Sequence, residues 1–472
     1  MENPYIIGIS GPSGVGKTTI SYLLSYLFNI NDVIILSGDD LHKWERNDPN
    51  WDTFTHFHPD ANDLSLGLHH LSNLKNGKSI LRKKYNHGTG KFDDGIEVYS
   101  KPIIIYEGLH SLYDKNICDL IDLKIFIDTD EKLTKEWKIK RDTVSRGYSP
   151  DDVIKIMERR KSDAIQFINP QKYNADVVIK FNKLKKIKLT YKILTKLNQN
   201  SENIIKNLKR IYKLVSDFLQ IADFLSTDIS LVQGKGGNIS LKFEDKFLIK
   251  SSGFKMQDIS FTEGFSICEN KPNRLFNDEN EYELYSKESV FYSVGKPSME
   301  IGFHNNIQYN VIIHTHPIYL NAILCSKESK EIINHLFKDL KFKFIEYLTP
   351  GYKLSNFFYK EDNCKIYFLE NHGLIVCSDK INEAIKITKK INIDCENWIL
   401  QNSSNFIPIN INVENKYLFP DSVVFSEELK EINNYILSLI TKCGLSPKFL
   451  TNDEINEIQQ LESEKFRKNQ KN

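Results

Sequence analysis

The chain has 472 residues, with 63 basic and 62 acidic side chains and a formal net charge of +1. A balance this even argues against nucleic acid or a membrane surface as partner, and the length exceeds what one hydrophobic core usually serves, so two or three domains are expected. No apolar run is long enough to span a bilayer, no signal-peptide pattern opens the chain, and the seven cysteines lack C-x-x-C spacing and fit a reducing compartment, so the expected location is the cytoplasm.

The apolar run at 5–10 reads as a buried strand. It leads into Gly11-Pro-Ser-Gly-Val-Gly-Lys-Thr18 and then a helical pattern from Thr19. This is a G-x-x-x-x-G-K-[ST] loop in strand–loop–helix context. Gly11, Gly14 and Gly16 let the backbone wrap closely with its N–H groups turned inward, and the helix start adds its positive end. Lys17 reaches the outer phosphates of a nucleotide and Thr18 holds Mg²⁺. The expected nucleotide-binding set is Gly11, Ser13, Gly14, Val15, Gly16, Lys17, Thr18 and Thr19.

A second strand over 32–37 delivers Gly38-Asp39-Asp40-Leu-His42-Lys-Trp-Glu-Arg46 to its carboxyl end, where open α/β sheets bind ligands. A polar stretch at 55–63 precedes a helix over 64–74. The segment Tyr85-Asn-His87-Gly-Thr-Gly90 reads as a loop carrying ligand contacts, with a plain surface hairpin as the alternative. A strand over 101–108 ends in Glu107, a carboxylate suited to indirect Mg²⁺ or water contact. A fourth strand begins at Leu123. A long helix from about residue 131 carries Lys138, Lys140, Arg141 and Arg146, and Arg159, Arg160 and Lys161 extend this basic theme, some of it a solvated face. A last strand spans 175–181. Strands alternating with helices imply a doubly wound parallel sheet. Residues 183–200 are rich in Lys and Asn, and read as a terminal helix fraying into a linker.

These blocks together carry a resemblance. Residues 1 to about 180 resemble the phosphoribulokinase/uridine kinase family of P-loop kinases. The matching blocks are Gly11 to Thr18, Asp39-Asp-Leu-His42 with Arg46, His56-Phe-His-Pro-Asp-Ala-Asn62 and Tyr106-Glu-Gly-Leu-His110. Further along come Lys138-Ile-Lys-Arg141 through Arg146-Gly-Tyr-Ser, Arg159-Arg-Lys-Ser-Asp163 and Ile168-Asn-Pro-Gln171. The later blocks lean toward the phosphoribulokinase side. The resemblance implies ATP with Mg²⁺, Asp39 as general base and Glu107 as the second acid near the metal. It also implies that His42 and Arg46 hold a sugar-phosphate acceptor and that Arg141 and Arg146 neutralise phosphate. Asp40 stands where that family usually has a small residue, and an extra acid there weakens binding of an anionic sugar.

The second half opens with an amphipathic helix over 204–225. Gly234-Lys-Gly-Gly-Asn238-Ile-Ser240 turns tightly into a strand, and 247–253 is another strand ending in small polar residues. Lys296-Pro-Ser298-Met-Glu300 precedes the apolar strand that ends in His314-Thr-His316. Two residues apart on a strand, both imidazoles face the same side. His372 appears beside a later strand. Three neutral imidazoles with an open position suit a catalytic Zn²⁺, with Glu300 as acid/base. A charged helical segment follows from 451.

Residues 205 to about 400 resemble the class II aldolase/adducin family. The blocks are Gly237-Asn-Ile-Ser240, Ser252-Gly253, Pro297-Ser298-Met-Glu300, His314-Thr-His316, Thr349-Pro-Gly-Tyr-Lys-Leu354 and Asn371-His-Gly373. The resemblance implies an α/β/α fold with a mixed or antiparallel central sheet. It makes His314, His316 and His372 zinc ligands, and Glu300 the group that moves a proton at carbon. Gly237, Asn238, Ser252, Gly253 and Ser298 form the phosphate grip. Met299 replaces the second phosphate serine, and a thioether donates no hydrogen bond. Relatives complete the site with a neighbouring subunit's residue, often a tyrosine, so a homo-oligomer, commonly a tetramer, is expected, with Tyr417 and Tyr435 as possible donors.

The expected domains are 1–198, a P-loop kinase; 203–425, a zinc domain; and 426–472, a helical extension. The expected function is bifunctional: ATP-dependent phosphorylation of a sugar or sugar phosphate, and zinc-dependent retro-aldol cleavage of a sugar phosphate. The substrates are small molecules, with neither nucleic acid nor membrane. The alternatives are an epimerase or dehydratase in the second half, a non-catalytic adducin-like oligomerisation module there, or a nucleoside or cofactor kinase in the first.

Overall fold

The computed structural model describes residues 3–28, 30–86, 88–183, 187–261, 263–293, 295–360, 364–403 and 416–461. The chain divides into two compact units, residues 1–213 and 214–472, and the division falls within the helix Gln199–Ser226. Among the described residues, no helix is long and apolar enough to cross a membrane.

In the first unit the strands Tyr5–Ser10, Val33–Ser37, Ile103–Gly108, Leu123–Ile127 and Val177–Lys183 run parallel. Across the sheet the order is 33–37, 103–108, 5–10, 123–127 and 177–183, with Ile187–Ile193 added antiparallel at the edge. Parallel strands covered on both faces read as continuous apolar runs. Accordingly Ile6, Ile7, Ile9, Ile104 and Ile105 are all fully buried. Because these strands share one direction, their carboxyl ends share one edge. Glu107 pairs in register with Ile9 on one side and Ser37 on the other, which sets it between the two loops that follow those strands. Residues 187–193 form a strand, not the frayed helix or linker that composition suggests. The reason is a period-two pattern, Ile187, Leu189, Tyr191, Ile193, which the intervening lysines mask.

The second unit has an eight-stranded sheet in the order 290–293, 265–269, 246–250, 238–243, 311–315, 373–378, 366–369, 343–345. Every pairing is antiparallel except that of Lys343–Ile345 with Ile366–Leu369, so the sheet is mixed. The fully buried strand Val311–Thr315 lies between Asn238–Phe243 and Gly373–Ser378, with Asn238 opposite His314 and Thr315 opposite Leu374. The helix Ile381–Asn402 covers it, burying Ala384, Thr388, Ile391, Cys395 and Ile399 at three- and four-residue intervals. Three C-terminal helices, Pro420–Val424, Lys430–Lys442 and Asn452–Gln460, belong to the same unit. Val423, Val424, Leu450 and Ile458 form a small apolar cluster there with Tyr347.

Candidate active sites

In the first unit the glycine turn takes the shape its composition predicts. Gly11, Gly14 and Gly16 all have positive φ, and Gly16 sits at the N-cap of the helix Lys17–Ser25. A Cβ on Gly11 would stand 2.6 Å from the Ile127 carbonyl oxygen, so glycine is required by contact as well as by φ. Lys17 Nζ folds back to donate to the carbonyls of Gly11 (2.9 Å) and Pro12 (3.0 Å). Burial holds its pKa below the ordinary value, opposed by the Glu107 and Asp39 carboxylates. Thr18 Oγ1 donates to Glu107 at 3.4 Å. Glu107 is buried, and desolvation pushes its pKa up to about 7; Lys17 works against that shift and Asp39 with it. The turn, Lys17, Thr18, Asp39 and Glu107 therefore form one electrostatically linked group.

Asp40 is not a free acid in the acceptor region. Its carboxylate binds Arg82 Nε at 3.0 Å and accepts from the Tyr85 amide at 2.9 Å; Arg82 is buried and Asp40 partly so. Arg82 also donates to the Ser37 carbonyl. The repulsion expected from Asp40 toward an anionic sugar is thus neutralised locally. Sequence reading missed this because the partner lies 42 positions away.

His42 is buried, and its ring packs at 4.9 Å from His56 and 5.4 Å from Tyr85. Arg46 is exposed and donates to the Gly88 carbonyl at 3.3 Å. Tyr85–Asn86 and Lys91–Phe92 pair as a short hairpin, so Tyr85 and Arg46 meet at its turn. His87 lies outside the described residues.

Arg141 and Arg146 converge on one buried carboxylate, Asp142, at 2.8 and 3.5 Å. Lys138 joins them at 2.8 Å and lies 3.5 Å from Ser13 Oγ, against the glycine turn. Its pKa falls to about 8, first through burial and then through Arg141. Asp142 and Lys138 were not singled out as site residues; only folding shows that one helix turn brings them to the phosphate loop. His110 is a second addition. It is buried, and burial drives its pKa down to about 3.

In the second unit the strand register does the assembly. His314 Nε2 lies 3.0 Å from His316 Nε2 and 3.3 Å from His372 Nε2. Nitrogens bound tetrahedrally at zinc distances stand about 3.3 Å apart, which these two separations match, and all three ligand atoms lie within 4.8 Å of one another. All three imidazoles are buried. His314 Nδ1 donates to the Leu374 carbonyl at 3.0 Å, and His316 Nδ1 lies 2.9 Å from Asp421 Oδ2. With that hydrogen turned outward, the Nε2 lone pair of His314 faces inward. Burial, and then the neighbouring imidazoles, hold His314 well below its ordinary pKa, which keeps it neutral. Glu300 stands 3.5 Å from His314 Nε2 and 3.4 Å from His372 Nε2.

Gly237 has positive φ, and a Cβ there would lie 2.9 Å from the His314 carbonyl oxygen. Gly237, Asn238, Ser252 and Ser298 line one pocket with Glu300 and His316. Gly253, next in chain to Ser252, is half-buried and has positive φ. Ser252 Oγ is buried and has no hydrogen-bond partner among the described residues, as expected of a group reserved for a ligand. The Asn238 amide nitrogen instead points at Ser298 Oγ (3.2 Å) and the Glu300 carboxylate. Lys235, Lys250 and Asp421 also line the pocket and were not anticipated. Two buried lysines suit an anionic ligand; Lys250 had a possible signal, directly preceding Ser251-Ser252-Gly253, whereas Asp421 had none. Tyr417 packs beside the Val423 cluster, and Tyr435 is exposed.

The phosphoribulokinase/uridine kinase family model matches residues 6–188, and that of the class II aldolase and adducin N-terminal domain matches residues 220–399. A phosphoribulokinase from Synechocystis sp. is 35% identical over 179 residues, covering 38% of this chain and 54% of the relative. The chain thus spans about half the length of that relative. A uridine kinase from Latilactobacillus sakei is 34% identical over 184 residues, covering 37% of this chain and 85% of the relative. The solved N-terminal class II aldolase domain of a conserved protein from Thermoplasma acidophilum is 22% identical, with a TM-score of 0.35, covering 39% of this chain and 93% of that one. The chain belongs to the phosphoribulokinase/uridine kinase family through its first unit and carries a class II aldolase/adducin domain in its second.

Proposed function

We propose that this chain is a bifunctional enzyme of sugar metabolism, which phosphorylates a sugar or sugar phosphate with ATP and cleaves a sugar phosphate by retro-aldol chemistry. The observation that carries the reading is the meeting of three buried imidazoles with Glu300, two of them lining with it a pocket that also holds two lysines and Ser252, whose hydroxyl has no hydrogen-bond partner among the described residues. A scaffold module has no use for such a set.

In the kinase half, phosphoryl transfer is mainly positioning and charge stabilisation. Asp39 takes the proton of the attacking hydroxyl. Lys17, Arg141 and Arg146 take up charge on the transferred group, and Thr18 with Glu107 holds Mg²⁺. His42 and Arg46 hold the acceptor, with Tyr85 beside it; His87, on the same loop in sequence, is assigned to the acceptor from the sequence alone. In the second half His314, His316 and His372 hold zinc, which when bound supplies Lewis-acid polarisation of a carbonyl. Glu300 moves the proton at carbon. Ser252, Gly253 and Ser298, with Lys250 close by, bind the phosphate, and Asn238 steadies Glu300. Phosphorylation in the first unit creates the handle that the second unit grips, which makes the steps consecutive: a ketose is phosphorylated at its first carbon, then cleaved to dihydroxyacetone phosphate and an aldehyde. The second unit assembles the protein as a homo-oligomer, a tetramer by this reading; a monomeric mass in solution would overturn that part. The test of the whole is purified protein with ATP, Mg²⁺, Zn²⁺ and a panel of ketoses, assayed for dihydroxyacetone phosphate. Triose from one sugar supports the reading, and none from any sugar removes it.

A further inference from the structure

We propose that His304 is a positioning residue for Glu300, acting through the Asn238 amide. This rests on the reading of Glu300 as the carboxylate that moves a proton. His304 follows Glu300 by four positions, on the short helix Ile301–Asn306. It is fully buried. Its Nε2 meets Asn238 Oδ1, and its Nδ1 lies 2.7 Å from Ser240 Oγ. An amide oxygen only accepts, so Nε2 carries the hydrogen, and Nδ1 accepts from the Ser240 hydroxyl. The same amide turns its nitrogen to Ser298 Oγ and Glu300 Oε2. Flipping it would set a carbonyl oxygen against the Glu300 carboxylate, so charge selects one orientation.

The backbone supports this chain of contacts. Asn238, Ser240 and Lys242 alternate along one strand, and all three are buried on the face that meets the helix. Lys242 Nζ donates to the carbonyls of Asn305 (2.9 Å) and Ile307, pinning the helix end. Burial, and then that nearby ammonium, keeps His304 neutral. A core histidine with no task would be replaceable by leucine at little functional loss. Here both ring nitrogens are committed, and the line of contacts ends on Glu300.

The test uses the full-length zinc-loaded protein with dihydroxyacetone phosphate in D₂O, where proton NMR follows exchange of a carbon-bound hydrogen. In His304→Leu the exchange kcat should fall about 10- to 100-fold with KM and zinc content unchanged. His304→Gln, whose amide can still donate to Asn238, should recover most of the loss. Equal loss in both variants, a change confined to KM, or undiminished exchange in His304→Leu would overturn the proposal. If His304→Leu fails to fold, Ser240→Ala replaces it: a lower kcat at constant KM supports the proposal and an unchanged kcat overturns it. If the wild type itself exchanges nothing, the acid/base reading of Glu300 falls separately. The His304 tautomer then decides, read by long-range proton–nitrogen NMR with His304→Gln as the assignment. An Nε2–H ring supports the contact, and an Nδ1–H ring overturns it.

Discussion

Asp40 shows how one side chain can be misread until its neighbours are known. Beside Asp39 it looks like a second acid in a phosphate-handling loop, yet Arg82 and the Tyr85 amide consume its charge. Removing one partner of a buried pair leaves the other uncompensated, so Asp40→Ala should lower the first unit's stability by about 3–5 kcal/mol, whereas Arg46→Ala should spare stability and lose acceptor use. Denaturant unfolding of the two variants checks this; a loss under about 1 kcal/mol in Asp40→Ala would match an exposed pair instead. Near the same arginine, His70 is buried and its pKa is lowered to about 4, first by desolvation and then by Arg82. A folded-state pKa below the unfolded value near 6.5 means the proton prefers the unfolded chain. The neutral ring's contribution is therefore complete above about pH 6.5 and is lost as pH falls toward 4, on the order of 2 kcal/mol. His70→Gln should flatten that part of the stability–pH curve, measured by thermal melts from pH 7 to 4.

Among elements, the strands did most of the predictable work and the C-terminal helices the least. The glycine turn, the strand ends and the His314–His316 pair are local patterns, and each formed where its pattern lies. The short helix Pro420–Val424 has no motif, but it supplies Asp421 to His316. It is held by the cluster of Val423, Val424, Leu450 and Ile458. The last helix, Asn452–Gln460, is tied down by Glu457, which accepts from Thr349 Oγ1 and pairs with Lys353 at 2.7 Å. Removing 450–472 uncovers the cluster and should loosen Asp421. Zinc affinity should then fall about 10- to 100-fold, as it should in Asp421→Asn, because carboxylates behind ligand histidines set ring orientation. Chelator competition measures both. A truncated protein that holds zinc as tightly as the full chain would show that the cluster does not serve the site.

For the whole molecule, the expectation is two chemistries that can be removed separately. Each set of contacts described above is complete within its own unit. Lys17→Ala should abolish ATP turnover, with a loss of roughly 100-fold or more, and leave zinc content unchanged. His314→Ala should lose zinc and spare ATP turnover. If the steps are consecutive, Lys17→Ala makes no triose from a free ketose but still cleaves the ketose phosphate. Loss of both reactions in either variant would contradict the division.

Much of this protein was written in local order. The phosphate loop, the parallel first sheet, Asp39, Glu107, Glu300 and the three histidines are short patterns whose physics acts within a few residues: glycine at positive φ, apolar strands, alternating faces. What folding alone decided are pairings across long separations and the antiparallel edge strand at 187–193. Arg82 on Asp40, Lys138 beside Ser13, Asp421 behind His316 and His304 against Asn238 and Ser240 join segments far apart in the chain. The physical reason is that burying a polar group requires a partner, and which partner arrives depends on how strands and helices stack, which residue spacing along the chain does not specify.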